Sequence, residues 1–433
     1  MSFIADKQTL DDLGLLGRFR QHSVYSLFNR VHTAGGGRLL DEMFHQPLTD
    51  PAAINRRSII FRYFQAQQPT FPFRHATFRF VENYLGTGGA GNIAIATAGM
   101  LRKKMMGALL KDDQFNQLQA GLTATIEALL SLKDLLRPLD IALVQPAADI
   151  LADKRLSWLE EERGLKQLPV MKAARYDHLL RNTLRREMET LLDIIYQLDV
   201  FIAVSTVARE RGFSYARALP AEENFFSTTA LTHPALADAV ANPLSLDGNA
   251  NVLFLTGANM AGKSTLMKSF GIAVYLAHMG FPVAAQHMRF SVRDGIYSSI
   301  NVPDNLNMGY SHFYAEVLRV KKVAEDVSSG KNMIVIFDEL FKGTNVKDAY
   351  DATLAVTAAF SKYRNCFFII STHIIEAGDA LKQQCDNIRF AYLPTVMEGN
   401  IPRYPYTLAE GITSDRQGMI IIENERITEL LAT

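Results

Sequence analysis

Residues 252–265, VLFLTGANMAGKST, constrain this chain more than any other stretch. An apolar run from Val252 to Leu255, closing on Thr256, predicts a buried strand, and Gly257 to Ser264 then fit the pattern Gly-x-x-x-x-Gly-Lys-Ser. That spacing is suited to holding a polyphosphate. Gly257 and Gly262 let the backbone curl so that successive N–H groups point inward, with Ala258, Asn259, Met260 and Ala261 forming the cradle between them. A helix starting near Lys263 and running on through Thr265 adds its positive end. Lys263 is placed to reach the β- and γ-phosphates as a point charge, and the Ser264 hydroxyl is a ligand type that suits Mg²⁺. A chance match in a chain this long has odds of roughly one in a hundred, lowered further by the flanking strand and helix patterns.

The 433 residues suffice for two or three domains with sizeable cores. An apolar content of 48% with 21% charged residues is that of an ordinary globular chain and excludes a disordered one. The 45 basic and 45 acidic residues cancel, which gives no support for a strongly nucleic-acid-binding surface, although a local patch survives such a sum. The two cysteines, Cys366 and Cys385, have no zinc spacing, and Cys366 lies in the apolar run CFFII as a small buried thiol. The N-terminal MSFIADKQTLDD lacks a cationic-then-apolar signal, and no run approaches eighteen uncharged apolar residues, so the expected compartment is the cytoplasm.

Residues 1 to about 110 read as helical with interruptions. Leu39, Leu40, Met43 and Phe44 have helical spacing and Pro47 ends their segment; Asp50 is placed to cap the next helix, with Pro51 at its first position and Ile54, Ile59 and Ile60 along its inner side. GTGGAGN, with its glycines between 86 and 91, reads as a loop. From about Asp113 to Arg211 two long helical segments flank LEEERGLKQLP and are expected to pair antiparallel. The basic residues Arg102 to Lys104 and the run Arg181 to Arg186 are most simply solvated helix faces, with a nucleic-acid contact as the alternative. Residues 212–250 carry Pro and Gly punctuation and short apolar stretches, which predicts strands and a linker and places a boundary near 212.

Beyond the loop, apolar strand-like runs alternate with helical ones, which implies a mostly parallel sheet with helices on both faces. Ligand groups should gather at the carboxyl ends of such strands. Gly257 does so, as do Asp338 and Glu339 after MIVIF and His373 after CFFIIST. Asp338 suits the Mg²⁺ left incompletely coordinated by Ser264, and Glu339 the orientation or activation of a water. A helix cap or salt bridge is the other use of such a pair. His373 is either a sensor of a γ-phosphate or a satisfied loop histidine.

TGANMAGKST resembles the phosphate loop of the DNA mismatch repair MutS family, TGPNMGGKST. The likeness extends to ANPLSL at Ala241–Leu246, to HPAL at His233, and to DNLNMGYSHFYAE, similar to DDLxxGxSTFxxE through Asp304, Leu306, Gly309, Ser311, Phe313 and Glu316. DELFKGTNVKDA is similar to DEIGRGTSTYDG through Asp338, Glu339, Gly343, Thr344 and Asp348, and STH stands at 371–373. SLFNRVHTAGGGRLLDEMFHQPLTD resembles the start of the family's core or lever domain, NRTxTAMGxRLLRxWLxxPLxD.

The resemblance implies an α/β ABC-type P-loop NTPase domain over residues 212–433, preceded by an all-α lever or core domain over 1–211. It implies ATP and Mg²⁺ as cofactors, with Lys263, Glu339, His373 and Ser311 catalytic and Ser264 and Asp338 on the metal. It also implies a homodimer with two composite ATP sites, in which Ser311 is supplied by the partner copy; Ser311 equally suits the N-cap of the helix near Phe313. The implied activity is ATP hydrolysis coupled to binding of double-stranded or branched DNA in mismatch repair or recombination. The alternative is a nucleotide-switched protein-interaction ATPase that no longer recognises mismatched DNA, and a small-molecule kinase is a weaker third. Departures from the family pattern favour that alternative. Against the family pattern, the expectation is of no mispair-wedge domain before the core-like segment, no clamp within LEEERGLKQLP, and little room after YTLAEGITSDRQGMIII for a helix-turn-helix. Phe341, Lys342 and Asn345 replace the family's Gly, Arg and Ser, Ser299 an arginine, and Ala239 an adenine-stacking aromatic.

Overall fold

From its N-terminus the chain passes through α1 (Lys7–Asp12), α2 (Val24–Phe28), α3 (Ala34–His45), α4 (Pro51–Gln67), α5 (His75–Gly86), α6 (Ile93–Leu110), α7 (Gln114–Leu136), α8 (Gln145–Leu151), α9 (Val170–His178) and α10 (Arg185–Arg211). Next come strands β1 (Ser214–Tyr215), β2 (Arg217–Leu219), β3 (Phe225–Leu231), β4 (Asn242–Asp247) and β5 (Val252–Gly257), leading into α11 (Lys263–His278). The remainder holds β6 (Pro282–Val283), β7 (Arg289–Ser291), β8 (Gly295–Ser299), α12 (His312–Ser328), β9 (Met333–Phe337), α13 (Val346–Ser361), β10 (Phe367–Ser371), α14 (Ile375–Gln384), β11 (Ile388–Leu393), β12 (Val396–Glu398), β13 (Ile401–Arg403) and β14 (Ala409–Glu410). The computed structural model describes residues 2–17, 23–88, 92–110, 114–164, 167–300, 312–399 and 401–413.

Two compact units emerge, one of residues 1–28, 44–62 and 207–433 and the other of 29–43 and 63–206. This division differs from a single cut near 212, because two N-terminal stretches belong with the strands. Phe28, Phe44 and Phe61 ring Phe281 at centroid distances of 5.5, 5.5 and 5.0 Å. Tyr275 donates its hydroxyl hydrogen to the Phe44 carbonyl at 2.6 Å, and Asn55 exchanges two hydrogen bonds of 2.9 Å with the Ala218 backbone. Such long-range partners leave no signal in local periodicity.

In the larger unit a six-stranded sheet has the order β14-β11-β5-β10-β9-β8. Five strands are parallel and β14 is antiparallel at one edge. Val252 to Gly257 are buried throughout, so neither side of β5 can face water. Phe254, Val335 and Phe368 pack with Val323, Phe360 and Leu381 of α12, α13 and α14, while Gly271 of α11 lies against Ile336 on the opposite face. A second, mixed sheet has the order β2-β7-β3-β4. RFSVRDGIYSSI, expected as one alternating strand, is divided into β7 and β8 because Arg293 and Asp294 turn the chain between them; Asp294 is held there by accepting from Asn332 N at 2.7 Å, and Arg293 by donating to the Asn365 carbonyl, also at 2.7 Å.

The smaller unit is helical. α7 stops at Leu136, two residues before Pro138, whose ring removes an N–H and disfavours helix at Arg137; short turns and α8 replace the continuous helix expected there. One turn of π-helix, Leu179–Thr183, joins α9 to α10. α10 is long and apolar enough to cross a membrane, and 72% of its apolar window is buried within the protein, as in a core helix. In α4, which belongs mostly to the larger unit, Asp50 accepts from Ala52 N and Ala53 N at 3.1 Å, as the capping pattern requires. Its inner side differs from the expectation: Ile54, Phe61 and Phe64 are buried, but Ile59 is 62% exposed.

A buried carboxylate organises the start of α3. Asp199 on α10 accepts from His32 N at 2.9 Å, Thr33 N at 2.7 Å and Thr33 Oγ1 at 2.7 Å. Burial pushes its pKa up and these donors pull it back. Asp199→Ala strands all three donors and should lower stability by about 3 kcal/mol in urea unfolding of the full chain. An unchanged midpoint and slope would show that the carboxylate is dispensable.

Candidate functional site

The parallel register brings the ends of neighbouring strands level. Gly257 pairs with Leu393, Ile370 with Phe337, and Phe337 with Ser299, so β5, β8, β9, β10 and β11 all finish along one edge. Residues 258–262 curl off that edge into α11. Gly257 has φ +141°, and a β-carbon there would lie 2.9 Å from the Leu393 carbonyl oxygen. Gly262 has φ +100° and caps α11. Met260, exposed with φ +68°, takes the left-handed conformation without glycine's freedom.

Lys263 is buried and its Nζ donates to the carbonyls of Gly257 at 2.8 Å and Ala258 at 3.1 Å. Burial lowers its pKa, and the carboxylates of Asp338 and Glu339 work in the opposite direction. Ser264 Oγ donates to Asp338 Oδ2 at 2.5 Å, and Ser371 Oγ donates to the other oxygen of Asp338. Asp338 N is fixed by the Ser299 carbonyl at 2.9 Å. Glu339 N donates to the Ser371 carbonyl at 3.1 Å; the residue has φ +56°, and His373 Nε2 lies 2.6 Å from its Oε1. Lys342 Nζ stands 3.7 Å from the second Glu339 oxygen.

The structure therefore brings Lys263, Ser264, Asp338, Glu339 and His373 together at one sheet edge. Ala258, Asn259, Met260 and Ala261 form the curl, and Thr265 opens α11 beside it. Ser311, with Asp304, Leu306 and Gly309, lies outside the described residues. Asn345 caps α13, accepting from Asp348 N at 3.0 Å. Phe341, at φ +62°, is buried with its ring edge-on to Phe313 at 6.0 Å, so apolar burial offsets the backbone cost of a side chain in that conformation. Arg181, expected on a solvated face, is instead largely buried and forked onto Asp177 through bonds of 2.7 and 2.8 Å.

Among the described residues no cluster of three His, Cys, Asp or Glu side chains exists to cage a metal ion. The paired oxygens of Ser264 and Asp338 fit instead a hard cation that brings most of its own ligands, as Mg²⁺ does with phosphate and water. Beside the curl lies a cavity of about 370 Å³, lined by Ala239, Asn242, Met260, Thr265, Leu393 and Tyr406. Tyr406 is not evident from the sequence. Its backbone carbonyl accepts from Asn242 Nδ2 at 2.9 Å, and Asn242 Oδ1 accepts from Leu408 N at 2.6 Å, which ties the ring-bearing segment to the start of β4. Only the YPYT stretch itself, rich in turn residues and rings, signals it locally.

The larger unit is thus a mixed α/β unit with a glycine curl and a carboxylate pair at its strand ends. A family model for MutS domain V matches residues 253–430, and one for MutS domain III matches residues 8–205. The chain belongs to the MutS family, whose domain V is its ABC-type ATPase domain. It is 29% identical over 230 residues to a DNA mismatch repair protein MutS of Anaplasma phagocytophilum (strain HZ), covering 52% of this chain and 27% of that protein. The match thus spans little more than a quarter of that relative's length.

The Glu339 carboxyl is held below the ordinary 4.5 by the hydrogen bond from His373, against partial burial. Because the folded-state pKa is depressed, this contact contributes fully above pH 4.5 and is lost as pH falls through the folded value. His373→Ala should move the Glu339 titration upward, followed by carbon NMR of labelled glutamate. A titration that stays put contradicts the contact.

Proposed function

We propose that this chain is a Mg²⁺-dependent ATPase that dimerises through composite ATP sites and couples ATP binding and hydrolysis to DNA binding in mismatch repair or recombination. The observation that carries the reading is the 2.5 Å approach of Ser264 Oγ to Asp338 Oδ2 beside the buried amine of Lys263. Two oxygen ligands and a cation meet beside the glycine curl, which is the charge pattern a metal-bound triphosphate complements.

Ser264 and Asp338 would hold Mg²⁺, which when bound neutralises charge on the phosphates. Lys263 exchanges the carbonyls of Gly257 and Ala258 for phosphate oxygens, and the backbone from Ala258 to Gly262 donates N–H groups to the same anion. The cavity beside Thr265 takes the base, with Tyr406 as its aromatic wall in place of a ring at Ala239. Glu339 remains ionised at neutral pH, so it acts chiefly by orienting a water rather than as a strong base. His373 reads the γ-phosphate when it leaves Glu339. Ser311, outside the described residues, would reach the same phosphate from a partner copy, which would couple triphosphate presence to dimer closure.

A second reading is a nucleotide-switched protein-interaction ATPase that does not recognise mismatched DNA. It is favoured by the balance of 45 basic against 45 acidic residues and by the engagement of Arg181 with Asp177. ATPase rates with and without mismatched, branched and single-stranded DNA, over a salt series, separate the two. Stimulation that fades with salt supports DNA coupling; no binding and no stimulation supports the interaction ATPase.

Lys263→Ala should reduce ATP turnover by at least about 100-fold. Glu339→Gln should slow it by a similar factor of about 100 while ATP still binds. Wild-type turnover in either variant contradicts the assignment.

A further inference from the structure

β8 is the edge strand of the six-stranded sheet, and among the described residues its outward N–H groups have no neighbouring strand of that sheet to serve them. Residues 4–12 supply acceptors for Ile296 and Ser298 of the strand and for Ile300 just beyond it. Ile296 N donates to the Ile4 carbonyl at 2.8 Å, Ser298 N to Thr9 Oγ1 at 3.0 Å, and Ile300 N to Asp12 Oδ2 at 2.9 Å. Ile4 N donates in return to the Asp294 carbonyl at 2.8 Å. Backbone serves the start of the strand, and two side chains of α1 serve its end. Gly295 makes room for this: a β-carbon there would lie 2.4 Å from the Ile4 carbonyl oxygen.

The same short segment is anchored on its far side. Asp6 caps α1 by accepting from Thr9 N at 3.0 Å and pairs with Arg319 and Lys322 of α12. Arg319 Nη2 donates to the Ser298 carbonyl at 2.6 Å. Burial acts to raise the Asp6 carboxyl, but the Arg319 and Lys322 cations hold it well below the usual carboxylate range. Ser298 is thus held at its N–H by Thr9, at its carbonyl by Arg319 and at its hydroxyl by Asp12 Oδ2 at 2.9 Å. One residue on, the inward Ser299 carbonyl receives Asp338 N.

We propose that Asp12 is a positioning residue for the cation site: by fixing Ser298 and Ile300 it sets the Ser299 carbonyl, and through it the backbone from which the Asp338 carboxylate meets Ser264. The N-terminal segment is in this sense a working part of the nucleotide unit. This rests on the ATPase reading. The physical reason is that a carboxylate ligand is only as well aimed as the backbone behind it, and supporting contacts of this kind affect metal affinity about 10- to 100-fold.

The test is Mn²⁺ binding by the full chain in the presence of a non-hydrolysable ATP analogue, followed by EPR, together with analogue binding in EDTA and the thermal midpoint. Asp12→Ala should weaken Mn²⁺ binding about ten-fold and change metal-free analogue binding by less than about two-fold. Asp12→Asn, whose carbonyl oxygen accepts both bonds, should restore Mn²⁺ affinity to within about two-fold of the wild type. If Asp12→Ala does not fold, Ser298→Ala decides, since it removes one donor and leaves the Ile300 bond; a loss of about three-fold or more supports the proposal, and a smaller one overturns it. Unchanged Mn²⁺ affinity in the folded alanine variant overturns it, as does a loss in Asp12→Asn equal to that in Asp12→Ala. A wild-type chain that binds neither the analogue nor Mn²⁺ with it overturns the underlying ATPase reading itself.

Discussion

The contact between Ser264 and Asp338 is the constraint to which the rest of the larger unit answers. The two residues stand 74 positions apart and meet because β5 and β9 both run parallel to β10, in a register that ends them at the same edge. That register is enforced by burial. β5, β9 and β10 are apolar on both faces, and a one-residue slip would carry the carboxylate away from the curl. α11 covers one face and α12, α13 and α14 cover the other, so the sheet cannot relax without exposing its core.

The site concentrates backbone conformations that side chains rarely adopt. Gly257, Met260, Gly262, Glu339 and Phe341 all have positive φ, on the loops that leave β5 and β9 at the shared edge. Glycine accepts this at little cost, whereas Met260, Glu339 and Phe341 must be compensated. Phe341 is compensated by burial beside Phe313, and Glu339 by its contacts with His373, Lys342 and the Ser371 backbone. Lys263 is compensated differently, by folding its amine onto the loop's own carbonyls. Those two carbonyls occupy the amine in the place of the phosphate oxygens proposed for it.

Much of this is legible in the residue order, and the parts that are not have a common cause. Apolar runs and the Gly-x-x-x-x-Gly-Lys-Ser spacing are local, so β5, β9, β10 and the groups at their ends can be placed directly. The Asp50 cap is equally local. Tyr406 and the Asn242 that ties it lie 164 positions apart, and Asp12 reaches Ile300 over 288, distances at which pattern carries no information. Ile59 fits an apolar face by type but points to solvent, because the α4 core is taken by Phe61 and Phe64. Arg181 reads as part of a basic face until Asp177, one turn earlier, is seen to pair with it. The helix break before Pro138 is visible in principle and is outweighed by the apolar run on either side.

On the function proposed, the Ser264 hydroxyl and the Asp338 carboxylate come together to share a cation with a triphosphate cradled on Lys263. A crystal structure with Mn²⁺ and a non-hydrolysable ATP analogue tests it most directly. The expected result is an anomalous peak bounded by Ser264 Oγ, Asp338 and phosphate oxygens, with the Lys263 amine moved off the Gly257 carbonyl. Nucleotide bound elsewhere, or a metal peak away from both side chains, would contradict it.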